Sequence, residues 1–432
     1  MDNVIATDRF AARLLMVSFF LPAKVQALVV IAASVYFVVR TFISKEPVPA
    51  KNYALALFIG SCYLLYLFSI PLTPHGHLRP LLKLCETRAS MLFLPFVFAI
   101  VAPHFRRLIL GELSFFVCGC LISCIVGNAD FIYHCYFVHN GLYQPSHVIY
   151  RTMFESATGI HPTYMGMYLC FSICVLLLSS AASTRAGQIV KYATVYLLLV
   201  LLLALLAKSA LIALALIFVH YAYMQRASLY KYWLLVLSLF AGVAAACFFI
   251  PFIGQRVSEI SRFFGNEKAG IVTDNSMNVR QLIFNVDTRL LKQNWLTGVG
   301  PGRLLHMLRE RYFFYSLANG HNISYYDPHN EYFSEWLSFG VIGIVLFLTI
   351  VVIQFTKAIS AKDHLYLYLL IIFCTTFFTE TVLSRQEGVL FYAVFTSLLF
   401  FRNTKDVGVR RYTSRRISLC SDKRASPIGL KL

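Results

Sequence analysis

Twelve apolar runs cut this chain into segments, and the short loops on one side of them are all basic. A helix that crosses a bilayer needs roughly 20 apolar residues, fewer where its ends lie in the interface. The runs fall near 11–22, 25–43, 53–73, 89–104, 107–127, 163–180, 190–206, 208–224, 231–253, 335–356, 364–382 and 388–402. The first is short, and only Lys208 and Ser209 interrupt the stretch 190–224.

Charge supports this division. With both ends of the chain cytoplasmic, the inner loops hold Lys45 and Lys51, Arg106 and Arg107, Arg185, Arg226 and Lys231, then Lys357 and Lys362. The segment after Phe401 adds nine more basic residues and reads as a basic tail lying near anionic lipid. This is the pattern of the positive-inside rule. Removing one helix would put basic loops on both faces. The chain carries 38 basic and 20 acidic residues, a net charge of +18. Such a balance can signal nucleic-acid binding, but here the cations sit in loops between apolar runs. Charged residues make up only 13% of the chain, against about 25% in a soluble domain.

The expected class is an all-α integral membrane protein with about twelve transmembrane helices. Residues 1–13 lack the features of a cleaved signal peptide, so the N-terminus is expected to be retained. Most of the eleven cysteines lie inside apolar runs, as small packing residues do. No pair has zinc-ligand spacing in a polar context.

Three segments then face outward: 73–88, 128–162 and 254–330. The last is the largest and carries Arg256, Arg262, Lys268, Arg280, Arg289, Lys292, Arg303, Arg309 and Arg311. Long loops translocate largely regardless of charge, so this basicity is permitted there, and an anionic ligand is a natural cause of it. Apolar residues at Leu282, Ile283, Val286, Leu290 and Leu291 predict a helix over 279–293, and a second over 304–314. Gly298-Val-Gly300-Pro-Gly302 breaks the chain between them. The expected organisation is a membrane bundle of about nine helices over 1–253, an outer catalytic loop over 254–330, about three further spans over 331–402, and the tail 403–432.

His329 is the most pointed chemical candidate. It follows Asp327-Pro328, a turn and helix start, and so falls at the outer mouth of the tenth run. An imidazole there can accept a proton from a hydroxyl near neutral pH. The positive end of the helix favours its neutral form. Gly340 and Gly343, three residues apart, would let another helix approach closely. The bland alternative is an interfacial histidine that only caps. Glu331 and Glu335 rival His329 as the base. The glycine-rich 298–302 segment lacks the preceding strand and the following Lys-Ser/Thr of a nucleotide loop, so a tight turn is the better reading. Each loop arginine is either part of a solvated face or part of an anion clamp. Lys208, wedged between apolar runs, is a functional candidate by its cost alone. Glu380 could instead be half of a structural ion pair, with Arg385 or a loop arginine.

His329-Asn330, nine residues, Gly340, two residues, Gly343 resembles the signature of the O-antigen ligase and O-antigen polymerase superfamily. Arg280, a helix, and then Asn294-Trp-Leu-Thr-Gly298-Val-Gly300 resembles the stretch that precedes that histidine in the family. Lys208-Ser209 stands where the family usually has an arginine after a serine; lysine keeps the charge but loses the forked geometry. His161-Pro162-Thr163-Tyr164 and Glu380-Thr-Val-Leu-Ser-Arg385-Gln386 look like motifs of Bacteroidetes-type members. His321-Asn322 has Tyr332 where the pattern needs a glycine, so it fails the test that His329 passes.

The resemblance implies a multi-pass protein of the bacterial cytoplasmic membrane with its active site facing the periplasm. It implies a glycosyltransferase that moves a glycan from undecaprenyl diphosphate to a hydroxyl of lipid A–core, with His329 catalytic. Arg280, Lys208, Arg303 and Arg289 are expected to bind the diphosphate, and Asn330, Glu380, Arg385 and His161 to support. No cofactor and no metal are expected. Polymerisation of lipid-linked repeats is the alternative within the same superfamily. A polysaccharide transporter or flippase would need ionisable residues deep in several spans, which the runs mostly lack. A non-catalytic scaffold would be indifferent to loss of His329.

Overall fold

The computed structural model of the protein describes residues 2–138, 147–179, 184–224, 276–319 and 327–402. They are helical almost throughout, with no strand among them. Eleven of the twelve apolar runs lie on helices. The run 231–253, the loop residues Arg256, Arg262 and Lys268, the His321-Asn322 pair and the basic tail lie outside the described residues.

Ala23–Ser44, Pro103–Val138, Arg185–Leu205 and Glu331–Ser360 are each long and apolar enough to cross a membrane. Two bent pairs, Ala50–Ile59 with Ser61–Ser69 and Val148–Thr158 with Pro162–Leu178, raise the number to six. Lys208–Met224, His364–Phe377 and Gln386–Phe400 are shorter apolar helices. Helix Ala23–Ser44 shows why lipid is the solvent. It buries Gln26, Val30, Ala33, Phe37 and Thr41, a stripe at helical spacing. Its outer face presents Leu28, Ile31, Val35 and Phe42, which only an apolar medium would accept. The protein is a multi-pass, all-helical membrane protein.

Two helices are central. Pro162–Leu178 is buried over nearly its whole length, and Gln386–Phe400 is buried from Gly388 onward. Both sequences are apolar all round, the mark of an enclosed helix. Phe19, Phe116, Tyr168, Phe171, Phe391 and Phe395 interlock between them, with ring centroids 4.7–6.1 Å apart. Each such pair adds about 0.5–1.5 kcal/mol to plain burial. Each of these helices begins at a residue of interest: His161 caps one through its side chain, and Arg385 stands at the N-cap position of the other.

The segments expected as outer loops are largely helical. His75–Arg88 runs almost straight into Ser90–Ile100, and Leu113–Tyr133 extends past 127. His147–Thr158 fills much of the remainder. The Lys208 break separates two helices, because Leu206 adopts a left-handed conformation (φ 47°) and ends Arg185–Leu205. In the large loop the helices are Ser276–Asn294 and Pro301–Asn319, somewhat longer than the pattern predicts.

Helix Glu331–Ser360 is interrupted at Gly340, where φ is 62° and ψ −150°. The expected role of Gly340 and Gly343 in helix–helix contact is therefore corrected. A side chain on Gly343 would meet Phe339 and the carbonyl of Glu335, both of its own helix. Gly340 receives a turn instead. Val299 N–H donates to the carbonyl of Leu337 (2.7 Å), Gly300 N–H to that of Ser338 (3.1 Å), and Val341 N–H to that of Leu296 (3.1 Å). The break frees backbone groups, and the 296–300 turn satisfies them, the condition for irregular backbone in a membrane protein. Only glycines allow so close an approach: a Cβ on Gly298 would lie 2.6 Å from Gly340 N.

Candidate active site

The nine residues between Asn330 and Gly340 form the first part of helix Glu331–Ser360. Asn330 is its N-cap, its side-chain oxygen accepting from Phe333 N–H (3.0 Å). The Asn330 amide also donates to the carbonyl of Phe378 (3.3 Å), tying the cap to the end of the following helix, His364–Phe377. His329 sits just before the cap with φ 44°, a left-handed conformation. Asp327 holds it there: its Oδ1 accepts from His329 N–H (3.1 Å), a side-chain turn two residues long. Asp327 Oδ2 in turn accepts from the Thr381 hydroxyl (2.5 Å).

His329 Nδ1 lies 3.0 Å from Glu380 Oε2 and 3.6 Å from Asp327 Oδ1. A carboxylate can only accept, so in the neutral ring Nδ1 carries the proton and Nε2 keeps a lone pair. The histidine is about 29% exposed and Glu380 about 16%, so the pair borders solvent without being washed by it. This oriented base with a carboxylate behind it is the arrangement general-base chemistry uses.

A second group of polar residues adjoins the pair. His161 accepts from Thr163 N–H through Nδ1 (3.3 Å), capping Pro162–Leu178. Its Nε2 lies 4.0 Å from Glu155 Oε2, and Arg385 Nη1 lies 3.6 Å from Glu155 Oε1. Arg151 Nη2 reaches the Thr163 hydroxyl (3.4 Å). The charges of Arg385, Glu380, Arg151 and His329 all act on His161, so these residues share one neighbourhood. Lys208 is drawn toward the same end of the bundle. Ala207 packs against Gly166, five residues beyond His161 and roughly 7.5 Å along its helix. Helices Pro162–Leu178, Lys208–Met224 and Gln386–Phe400 thus turn their positive ends toward this region, as does the capped helix at Glu331.

The other expected residues fare differently. Arg280 lies on helix Ser276–Asn294, but its side chain is outside the described part of the structure. Arg289 and Arg303 are exposed on Ser276–Asn294 and Pro301–Asn319. Glu380 pairs with His329 rather than with Arg385, which turns to Glu155. Glu331 and Glu335 are not free rivals of His329. Both are buried, and both are bound to Arg88.

Sequence reasoning missed Asp327 as a side-chain partner, together with Thr381, Arg151, Glu155 and Arg88. An acidic residue two positions before the histidine is a turn signal that could have flagged Asp327. No local pattern points to the others.

On helix Ser276–Asn294, Asp287 is fully buried, and neither carboxylate oxygen has a hydrogen-bond partner among the described residues. Burial, together with the Asp327 carboxylate, pushes this group up to about 8, so it is largely neutral at pH 7.

A bundle of membrane helices whose ends converge on an oriented imidazole, a carboxylate and several cations defines a class: a polytopic membrane protein with a polar site at the mouth of its spans. Comparison with known families narrows this class for one part of the chain. Residues 193–348 match the family model for O-antigen ligase, and this match supports the resemblance to the O-antigen ligase and polymerase superfamily. That match supports a function of the O-antigen ligase or polymerase type, with glycosyltransferase-like chemistry on lipid-linked glycan and acceptor. The matched segment contains Lys208, Arg280, His329 and Gly340–Gly343; His161, Glu380 and Arg385 lie beyond it. No curated protein matches the chain.

Proposed function

We propose that the protein transfers a glycan from undecaprenyl diphosphate to a hydroxyl of lipid A–core, at the periplasmic face of the bacterial cytoplasmic membrane. The observation that carries the chemistry is the 3.0 Å contact between His329 Nδ1 and Glu380 Oε2. With the ring proton on Nδ1, Nε2 carries the lone pair that acts as the base. Nε2 takes the proton of the acceptor hydroxyl while that oxygen attacks the anomeric carbon. The bond from this carbon to the phosphate oxygen breaks, and undecaprenyl diphosphate leaves with both electrons. One base and no covalent intermediate give inversion at the anomeric centre.

The departing diphosphate needs fixed positive charge. Arg280 and Lys208 are assigned that role, with Arg289 and Arg303 as further contributors from the loop helices. Asn330 supports His329 through the cap, while Arg385 and His161 supply the adjoining wall. The reaction asks for no metal and no nucleotide. The organisation we infer is twelve spans with both ends cytoplasmic: a bundle over 1–253, the periplasmic catalytic loop over 254–330, three spans over 331–402 and the tail 403–432.

Polymerisation, with a second lipid-linked repeat as acceptor, remains the reading to separate from ligation. Lipopolysaccharide from a deletion strain does so. Loss of a ligase leaves core without O-chains, whereas loss of a polymerase leaves a single repeat attached. The direct test is transfer by purified protein from lipid-linked donor to candidate acceptors, with chelator present and ATP absent. His329→Ala should lower the rate by about 10²–10⁴-fold, the usual worth of a general base, while the protein stays folded. Full activity in that variant would overturn the mechanism.

A further inference from the structure

Arg88 ends helix His75–Arg88 and is 1% exposed. Its guanidinium bridges two buried carboxylates on successive turns of helix Glu331–Ser360. One nitrogen donates to Glu331 Oε1 at 2.8 Å and the other to Glu335 Oε1. Tyr66 completes the cluster: its hydroxyl donates to Glu335 Oε1 (2.7 Å) and accepts from Arg88 (2.5 Å). The guanidinium also lies 4.5 Å from the centroid of the Tyr66 ring. Burying a charge this deeply is costly unless it is paired and hydrogen-bonded, and such pairs are weak evidence of stabilisation. A reason beyond stability is therefore worth seeking.

The far oxygen of Glu331 supplies one. Glu331 Oε2 accepts from Leu383 N–H at 2.8 Å. Leu383 belongs to the short turn Val382–Ser384, three residues after Glu380 and two after Thr381. The two residues just before this turn hold His329 in place: Glu380 touches the ring, and Thr381 holds Asp327, which holds the His329 backbone. Glu331 itself is two residues from His329. Arg88 thus grips one oxygen of a carboxylate whose other oxygen joins the helix that follows the base to the turn that follows the base's partners.

Resting on the transferase reading above, we propose that Arg88 is a positioning residue for the transfer. By clamping Glu331 against the Val382–Ser384 turn, it holds Glu380 in register with His329. It touches neither substrate nor the reacting atoms. Its loss would let the turn drift by a fraction of an ångström, enough to spoil a base that needs a defined ring orientation.

Two variants and two measurements test this. Arg88→Lys keeps the charge but cannot span both carboxylates. Glu331→Gln keeps the size and one acceptor but loses the ionic hold. In transfer assays both should lower kcat at least tenfold with KM for the lipid-linked donor unchanged within about twofold. Hydrogen–deuterium exchange of the peptide covering 380–385 should rise in both, while the peptide covering 391–400 keeps wild-type protection. Unchanged kcat in the folded variants overturns the proposal, as does a kcat loss with no change in exchange at 380–385. Should Arg88→Lys fail to fold, Glu331→Gln decides alone. If the wild-type protein transfers no glycan, the transferase reading fails, and the exchange measurement still reports whether Arg88 holds the turn.

Discussion

Glu380 Oε2 lies 3.0 Å from His329 Nδ1, although 51 residues separate the two in the chain. The contact converts a helix-end histidine into an oriented base. Glu380→Gln keeps an oxygen that can accept from Nδ1 but removes the charge that stabilises the imidazolium as the proton arrives. The expected outcome is a fall in kcat smaller than that of His329→Ala, with no change in thermal stability beyond about 0.5 kcal/mol. Steady-state transfer assays on both variants, beside their melting curves in detergent, check this.

Gly340 should tolerate no side chain. Its φ of 62° is strained for any L-residue with a Cβ, and that Cβ would run into the Leu296 carbonyl. Gly340→Ala is expected to cost about 1–3 kcal/mol and to loosen the 296–300 turn. Gly76→Ala, where a Cβ would meet nothing within 4 Å, is the control and should be near neutral. Thermal unfolding in detergent separates the two.

Asp287 makes stability depend on pH. Its carboxyl titrates near 8 in the folded protein, against an ordinary value of 3.8. The folded state therefore holds a proton that the unfolded chain has lost, and stability falls as pH rises from about 4 to about 8. Asp287→Asn removes the ionisable group while filling the same space. The variant should be more stable than wild type at pH 8 by up to a few kcal/mol, and nearly equal to it at pH 4. Melting temperatures at the two pH values measure the difference; a variant no more stable at pH 8 would count against this account.

Asn330 has two jobs with separable signatures. Asn330→Asp keeps the cap oxygen for Phe333 N–H but loses the amide that donates to Phe378. Asn330→Ala loses both and should cost about 1 kcal/mol more than the aspartate variant. Chemical or thermal unfolding of the pair, referred to wild type, tests this ordering.

Much of the architecture was legible in the chain because its causes are local. Apolar length marks a span, helical spacing marks a buried stripe, and glycine marks a break. The helices on either side of Lys208, the two helices of the large loop and the turn at 298–302 all follow from such patterns. Where the pattern misled, a tertiary partner was responsible. Gly340 and Gly343 read as a helix-packing pair, yet Gly340 is a break, because the 296–300 turn supplies the hydrogen bonds the break requires. The stretches 73–88 and 128–162 read as segments between spans, because their residues alone lack the apolar length that identifies one, yet both are largely helical.

The site divides in the same way. His329 could be singled out by residue type, position and motif, since a basic side chain at a helix mouth advertises itself in one dimension. Its partners could not. Whether Glu380 faces His329 or Arg385, and whether Glu331 is a base or a strut, depends on which helices lie side by side. The sequence by itself determined that this chain is a bundle of membrane helices with a histidine at the end of one of them. Only the tertiary structure decided what stands behind that histidine, because side chains distant in sequence meet by packing, and packing depends on the shapes of all the helices at once.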